Sequence, residues 1–310
     1  VAFSAFASAA PAQEQAPRRK SRIALILLAP GVIYLVIFFL VPLVTLVVTS
    51  LESPSAAGDI GQYVPGFDIG NYAIVLAEYT PQILRSFGYS LIATVMALLF
   101  SYPLAYFIAV KVRNWPLVQN LMLVLVIAPF FISFLLRTMA WKSMLSDESF
   151  LVTALKGLSL MAPQAHITGT AVSVVFGLTY NFIPFMTLPL YAVLERLDTR
   201  YLEAASDLYA RPFTTFRTVT LPLSSPGIIS GVLLTFIPAA GDYVNASRQF
   251  LGGTGTTMIG NVIDSNFFDL QNYPAAAALS IILMSAILVL VIAYILLTVY
   301  VWKSGTEGLL

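Results

Sequence analysis

The sequence predicts an all-α membrane protein built on six spanning helices, and three observations predict it. Apolar residues fill 58% of the 310 positions and charged residues only 10%, against about 25% charged in a soluble domain. Mean hydropathy is +0.86, so lipid rather than water is the main solvent. Six apolar runs reach the roughly 20 residues that a spanning helix needs, and none alternates with the period of two that a barrel strand requires.

In order, the runs cover about 23–50, 86–110, 116–139, 170–194, 226–246 and 274–302. A tail, 1–22, precedes the first; its Ala, Pro and Gln content predicts disorder. Ala7-Ser8-Ala9-Ala10 faintly resembles a cleavage site, but no basic region precedes it, so the segment reads as a cytoplasmic tail rather than a signal peptide. Lys and Arg sort to one side of the spans, which sets orientation. Arg18, Arg19, Lys20 and Arg22, then Lys111 and Arg113, then Arg196, Arg200, Arg211 and Arg217, and finally Lys303, all fall inside once the N-terminus is placed in the cytoplasm. The outer loops hold Arg85, Arg137, Lys142, Lys156 and Arg248 and most of the acids, Asp147 and Glu148 among them. Both termini are therefore predicted to be cytoplasmic, with a short tail, 303–310, after the last span.

Several function classes drop out. A net charge of +1 argues against a nucleic-acid partner. Cysteine is absent, and the one histidine, His166, lies in an outer loop where a solvated role is expected. No phosphate-binding G-x-x-x-x-G-K-[ST] and no H-E-x-x-H occurs. Gly252-Gly253-Thr254-Gly255 lacks the lysine and reads as a flexible turn. The chain is thus expected to be non-catalytic, with no metal or cofactor of its own, and uphill movement would draw energy from another chain or an ion. A secondary transporter needs buried ionisable groups and internal repeats, and a membrane-embedded enzyme needs clustered His, Asp or Glu; almost no charge lies mid-span here.

The inner loop 195–225 is the most informative segment. Leu202, Ala205 and Tyr209 fall at helical spacing, Leu208 and Pro212 flank a break, and Phe213, Phe216, Val219 and Leu221 continue an apolar edge. Two short amphipathic helices are predicted. Their chemistry suits a knob that inserts into a groove on a soluble partner, and equally an interfacial helix that only anchors the bundle.

Glu203-Ala204-Ala205, followed by Leu221-Pro222-Leu223 and Pro226-Gly227-Ile228, resembles the EAA loop of bacterial ABC importer permeases. The resemblance extends over nearly the whole chain after the tail. Leu135-Leu136-Arg137-Thr138, Ile183-Pro184-Phe185-Met186, Glu195-Arg196-Leu197-Asp198 and Ile259-Gly260-Asn261-Val262-Ile263 look like the first permease of spermidine/putrescine-type importers. That family implies a type I importer permease bundle in the bacterial inner membrane, alternating access, and import of a polyamine or another small organic or metal-bearing solute. It also implies a second related permease, two copies of an ABC ATPase holding ATP and Mg²⁺, and an extracytoplasmic binding protein. Glu203, Ala204, Ala205, Asp207, Leu208, Tyr209 and Arg211 would form the ATPase-coupling surface: Glu203 capping or pairing, the alanines permitting close approach, Asp207 and Arg211 at the rim. One departure is plain, since Tyr209 stands where the family has glycine. A bulky residue is an outlier at positive φ, so a turn with ordinary dihedrals, or one shifted toward Arg211-Pro212, is expected.

The solute path is sought among polar groups in apolar helices. Asp242, 16 residues after Pro226 and so about 24 Å along the fifth span, lies near the outer mouth. It could receive an ammonium group, pair with Arg137 at a similar height as a gate, or be a solvated loop-edge acid. Tyr180 and Asn181, roughly 15 Å into the fourth span, read as interhelical hydrogen-bonders or cavity lining. Phe131, Trp141, Tyr180, Phe185 and Tyr243 offer π-faces to an amine, although Trp115 and Trp141 also suit the interfacial belt. Pro184 and Pro189 are expected to break the fourth span, as hinges or as packing kinks. Gly227 and Gly231 form a small-x-x-x-small surface for a helix of this chain or of a partner.

Overall fold

The computed structural model describes residues 22–55 and 61–307; the tail before Arg22 lies outside them, as do the side chains at 299–310, Lys303 included. The chain forms two compact units, Val1–Leu46 and Val47–Leu310. The first carries α1 (Arg22–Leu35), a π-helical turn (Val36–Leu40) and the start of α2 (Val41–Thr49). None of the apolar window in Leu27–Thr49 is buried, as suits a helix whose whole circumference is apolar.

The second unit opens with a two-stranded antiparallel ribbon, β1 (Ser53–Pro54) and β2 (Tyr63–Val64), with Ser53 opposite Val64. Three helices then build its centre: α3 (Gly70–Tyr106), α7 (Ala171–Glu195) and α11 (Ser225–Ala240). Small residues on α3 let the helices approach. Ala93 packs with Val174, Leu178, Phe182 and Ala239, and nearer the C-terminal end of α7 Ala97 and Ala105 pack with Met186, Leu190 and Leu194. A satellite cluster joins Val75 of α3 to α12 (Ile259–Phe268) and α13 (Tyr273–Glu307) through Ile259, Val262, Ala278 and Leu279. The glycine pair on α11 meets a helix of this same chain. A Cβ on Gly227 would lie 3.0 Å from the Pro189 carbonyl oxygen, and one on Gly231 would lie 3.2 Å from that of Met186. Glycine is needed there because backbone closes the space at both positions, joined at Gly231 by the Met186 sulfur.

Among the described residues, four helices are long and apolar enough to span, or up to six if each bent pair is one span. The second predicted run is the C-terminal part of a longer rod, Gly70–Lys111, whose 42 residues extend about 63 Å. Its first turns carry Glu78, Gln82 and Arg85, so apolar counting misses them. The third run is broken. α4 (Pro116–Ile127) passes into a 3-10 turn (Ala128–Phe131), Ile132 is extended, and α5 (Phe134–Leu145) leaves in a new direction. The halves Pro116–Phe131 and Phe134–Gly157 bend by 95°. Pro129, which has no N–H to donate, sits at this break. Pro184 and Pro189, by contrast, lie inside α7, which runs unbroken. The fifth run is shorter than predicted: α11 ends at Ala240, and Asp242 lies in the turn beyond it.

Several hydroxyls inside these helices find local backbone acceptors, which lipid favours, although that of Thr235 in α11 has no partner. The Ser90 hydroxyl donates to the Ser86 carbonyl at 2.5 Å and that of Thr94 to the Ser90 carbonyl at 2.7 Å. The Ser86 hydroxyl accepts the Ile259 N–H at 2.7 Å and so caps α12.

Candidate functional site

The segment after α7 folds as a helical hairpin. Two carbonyls at the end of α7, those of Glu195 and Leu197, accept from the Arg113 guanidinium, with 3.0 Å to the Leu197 oxygen. Tyr191 donates to the Glu195 carboxylate at 2.6 Å and accepts from Gln119 at 3.2 Å. The base of the hairpin is thus fixed by the loop between α3 and α4, a role for Arg113 that counting basic residues does not suggest. α8 (Arg200–Asp207) follows, started by the Asp198 carboxylate, which accepts the Arg200 N–H at 3.0 Å. Glu203 in its first turn complements the helix dipole.

The hairpin turns at Tyr209. Its φ is +56°, so a tyrosine holds the left-handed conformation that favours glycine. Neither an ordinary turn nor a shift to Arg211-Pro212 occurs. The Tyr209 N–H bonds the Ser206 carbonyl at 2.9 Å and the Ala210 N–H bonds that of Ala205 at 3.0 Å. This pair is the Schellman arrangement that satisfies the last carbonyls of a helix; holding an L side chain there costs about 1–2 kcal/mol. α9 (Pro212–Thr215) then leads through a π turn (Phe216–Thr220) and α10 (Leu221–Leu223) to a 67° bend into α11. At the bend the Ser224 hydroxyl meets the Tyr102 hydroxyl at 2.7 Å, and Phe216 packs edge-on against the Tyr102 ring.

Glu203, Ala204, Asp207, Leu208, Tyr209 and Arg211 are all exposed on the hairpin, whereas Ala205 is buried. Ala205 therefore serves close approach within this chain, leaving Ala204 on the outward face. Tyr209 also leaves the inward stripe of Leu202 and Ala205, because the left-handed turn redirects its side chain.

The predicted path residues divide into two sets. Asp242, 7% exposed, Asn181 and Arg137, 8% exposed, are all buried, and the first two belong to one hydrogen-bonded group. Asp242 accepts the Asn245 N–H at 2.8 Å and the Asn245 amide at 3.1 Å. The Asn181 amide donates to Asn245 Oδ1 at 3.1 Å and to the Thr138 hydroxyl at 3.3 Å. A polar chain thus crosses from α5 through α7 to the turn after α11, and Thr138 and Asn245 are the links missed in sequence. The Asp-x-x-Asn spacing is the available signal for Asn245. The ion pairs among the described residues are those of Asp147 with Lys156 at 3.0 Å and with His166 at 2.5 Å, so Asp242 and Arg137 do not pair. Arg137 follows the 95° bend, not the end of a straight span. Its Nε and Nη1 have no partner, and its Cζ lies 5.7 Å from the Phe134 ring centre.

Trp141 packs edge-on against Phe176 and Tyr180 at 4.6 and 5.1 Å. Phe185 meets Phe130 at 4.9 Å. Phe131 and Tyr243 are exposed, apart from this cluster. A cavity of about 530 Å³ between α3 and α7, lined by Ile92, Met96, Phe100, Val172 and Phe176 with Tyr180 at its edge, is almost wholly apolar. It suits lipid or an apolar helix and not a cation. On the loop after α5, Asp147 is held below the ordinary carboxylate range, by Lys156 first and His166 second.

Residues 73–301 match the family described as the binding-protein-dependent transport system inner membrane component. The chain belongs to that family. Among relatives of this inner membrane component is the spermidine/putrescine transport system permease protein PotB of Haemophilus influenzae. It is 36% identical over 263 residues, 84% of this chain and 89% of the relative. PotB of Escherichia coli is 34% identical over 262 residues, 84% of this chain and 92% of the relative. The inner membrane ABC transporter permease protein YdcU of Escherichia coli is 30% identical over 70% of this chain and 68% of its own length. A chain of the bacterial alginate ABC transporter, solved in complex with an alginate pentasaccharide-bound periplasmic protein, superposes with a TM-score of 0.61. It is 17% identical and is covered to 92%, with 87% of this chain covered. The fold is thus that of ABC transporter permeases, and the inner membrane component is a transport subunit with multiple apolar helices.

Proposed function

We propose that the chain is the first of two related permeases in a polyamine importer of the spermidine/putrescine class, driven by two ABC ATPase copies that hold ATP and Mg²⁺. The observation that carries the coupling role is the hairpin of α8 and α9, tied at its base by Arg113 and presenting Glu203, Asp207, Leu208, Tyr209 and Arg211 outward. In this reading both termini and the hairpin are cytoplasmic, and a loaded binding protein docks on the opposite face. ATP-driven closure of the ATPases moves the hairpin, and the 67° bend at Ser224 passes that motion into α11. The bundle opens outward, accepts the solute, then relaxes inward after hydrolysis.

In this reading Asp242 receives an ammonium group, and the Tyr180, Trp141 and Phe185 rings offer it aromatic faces. The identity of 36% to a named polyamine permease supports this solute class. A second solute reading draws on the unpartnered Arg137 guanidinium, which suits a solute that also carries a carboxylate. ATP hydrolysis by the reconstituted complex, measured with its binding protein across a solute panel, separates the two. Spermidine or putrescine is expected to stimulate hydrolysis most. Stimulation by an amino acid or another anionic solute, with none by any polyamine, would reject the polyamine assignment.

A further inference from the structure

The hairpin carries a side chain that its own fold does not need. Tyr209 is held at φ +56°, a conformation glycine adopts freely and an L residue resists. Both bonds that make the turn are backbone to backbone, from Tyr209 to Ser206 and from Ala210 to Ala205, and glycine would form them equally well. The ring therefore opposes the turn that displays it. It is 96% exposed, between Leu208 at 81% and Phe213 at 73%, so no packing within the chain offsets the strain. Strain persists where something outside the local fold uses it.

A projecting aromatic flanked by apolar residues and rimmed by charge has the composition of an interface anchor. The rim carries both signs, Glu203 and Asp207 with Arg211. An anionic lipid surface would repel those acids, whereas a protein cleft can match mixed signs. We infer that the Tyr209 ring is the anchor by which this permease selects its own ATPase subunit. The ring fills an apolar, aromatic-sized pocket in the ATPase cleft, with an acceptor at its far end for the phenol hydroxyl. The inference rests on the hairpin being the coupling element and adds which residue sets partner choice.

The test uses the complete permease pair in lipid nanodiscs, titrated with its ATPase, and the melting temperature of each variant. Tyr209→Gly relieves the backbone and removes the ring. It is expected to weaken ATPase binding by about tenfold or more while leaving the melting temperature unchanged or raised. Tyr209→Phe keeps the ring and should bind within about threefold of the parent, a small loss for one hydroxyl hydrogen bond. Glu203→Lys, on the same edge, reports on the coupling reading itself. Full ATPase affinity in Tyr209→Gly alongside weakened binding in Glu203→Lys would overturn the anchor and leave the coupling hairpin standing. Unaltered binding in both variants would remove both.

Discussion

Asp242 is a buried carboxylate with a structural role in its bonds to Asn245 and, as proposed, a second role toward the solute. It ends a chain of amides, and that chain can reverse its polarity. In Asp242→Asn the amides of Asn245 and Asn181 can each rotate, so that every link still has one donor and one acceptor. The variant should therefore melt within a few degrees of the parent. Loss of the charge should lower polyamine import by about tenfold, the effect of one charge-assisted contact of ~1.4 kcal/mol. Transport assays on proteoliposomes check this, and undiminished import would make Asp242 purely structural. Sequence placed Asp242 and Asn181 in the right neighbourhood because polar groups in apolar runs stand out. It did not pair them, because the partner is set by where α11 stops, at Ala240. Tyr209 was misjudged for a similar reason: dihedral preference is a local rule, and the tertiary hairpin overrides it.

Among the elements, the packing of α11 on α7 decides whether the 67° bend can transmit movement. Gly231 is its closest point, since a Cβ there would sit 2.7 Å from the Met186 sulfur and 3.2 Å from the Met186 carbonyl oxygen. Gly231→Leu must push the helices apart, an overpacking cost of about 1–3 kcal/mol. Thermal unfolding in detergent should show the melting temperature lowered by several degrees, and no change would mean that α11 and α7 are looser than described. α7 was legible almost to the residue because its apolar run is bounded by the Thr170 cap and by Glu195. The N-terminal part of α3 was not, because Glu78, Gln82 and Arg85 break hydropathy without breaking the helix. α12 was hidden likewise, as its Asn261, Asp264, Ser265 and Asn266 read as loop. The bend at Pro129 is marked by a residue that elsewhere, at Pro184 and Pro189, leaves a helix intact. Proline alone does not say which outcome packing will choose.

For the whole molecule, a cation path must be polar, and the two large cavities described are not. The one between α3 and α7 is about 530 Å³, and the one among α3, α11 and α13, lined by Leu91, Val232, Phe236 and Leu290, is about 370 Å³; both are apolar. The polar chain from Thr138 to Asp242 is buried within the bundle; under the proposed function it would stand behind one wall of a path that a second permease completes. Composition, charge bias and the loop motif made the class of machine legible, because membrane insertion and ATPase docking each leave a compositional or spacing mark. A solute site shared between subunits leaves no such mark in one chain. The account stands or falls on the hairpin as the link between ATP and transport. The most direct measurement is polyamine uptake and polyamine-dependent ATP hydrolysis in cells and vesicles carrying Glu203→Lys, with membrane insertion followed in parallel. Uptake should be lost and hydrolysis uncoupled from polyamine while insertion stays normal; uptake and coupling at the level of the parent would contradict the account.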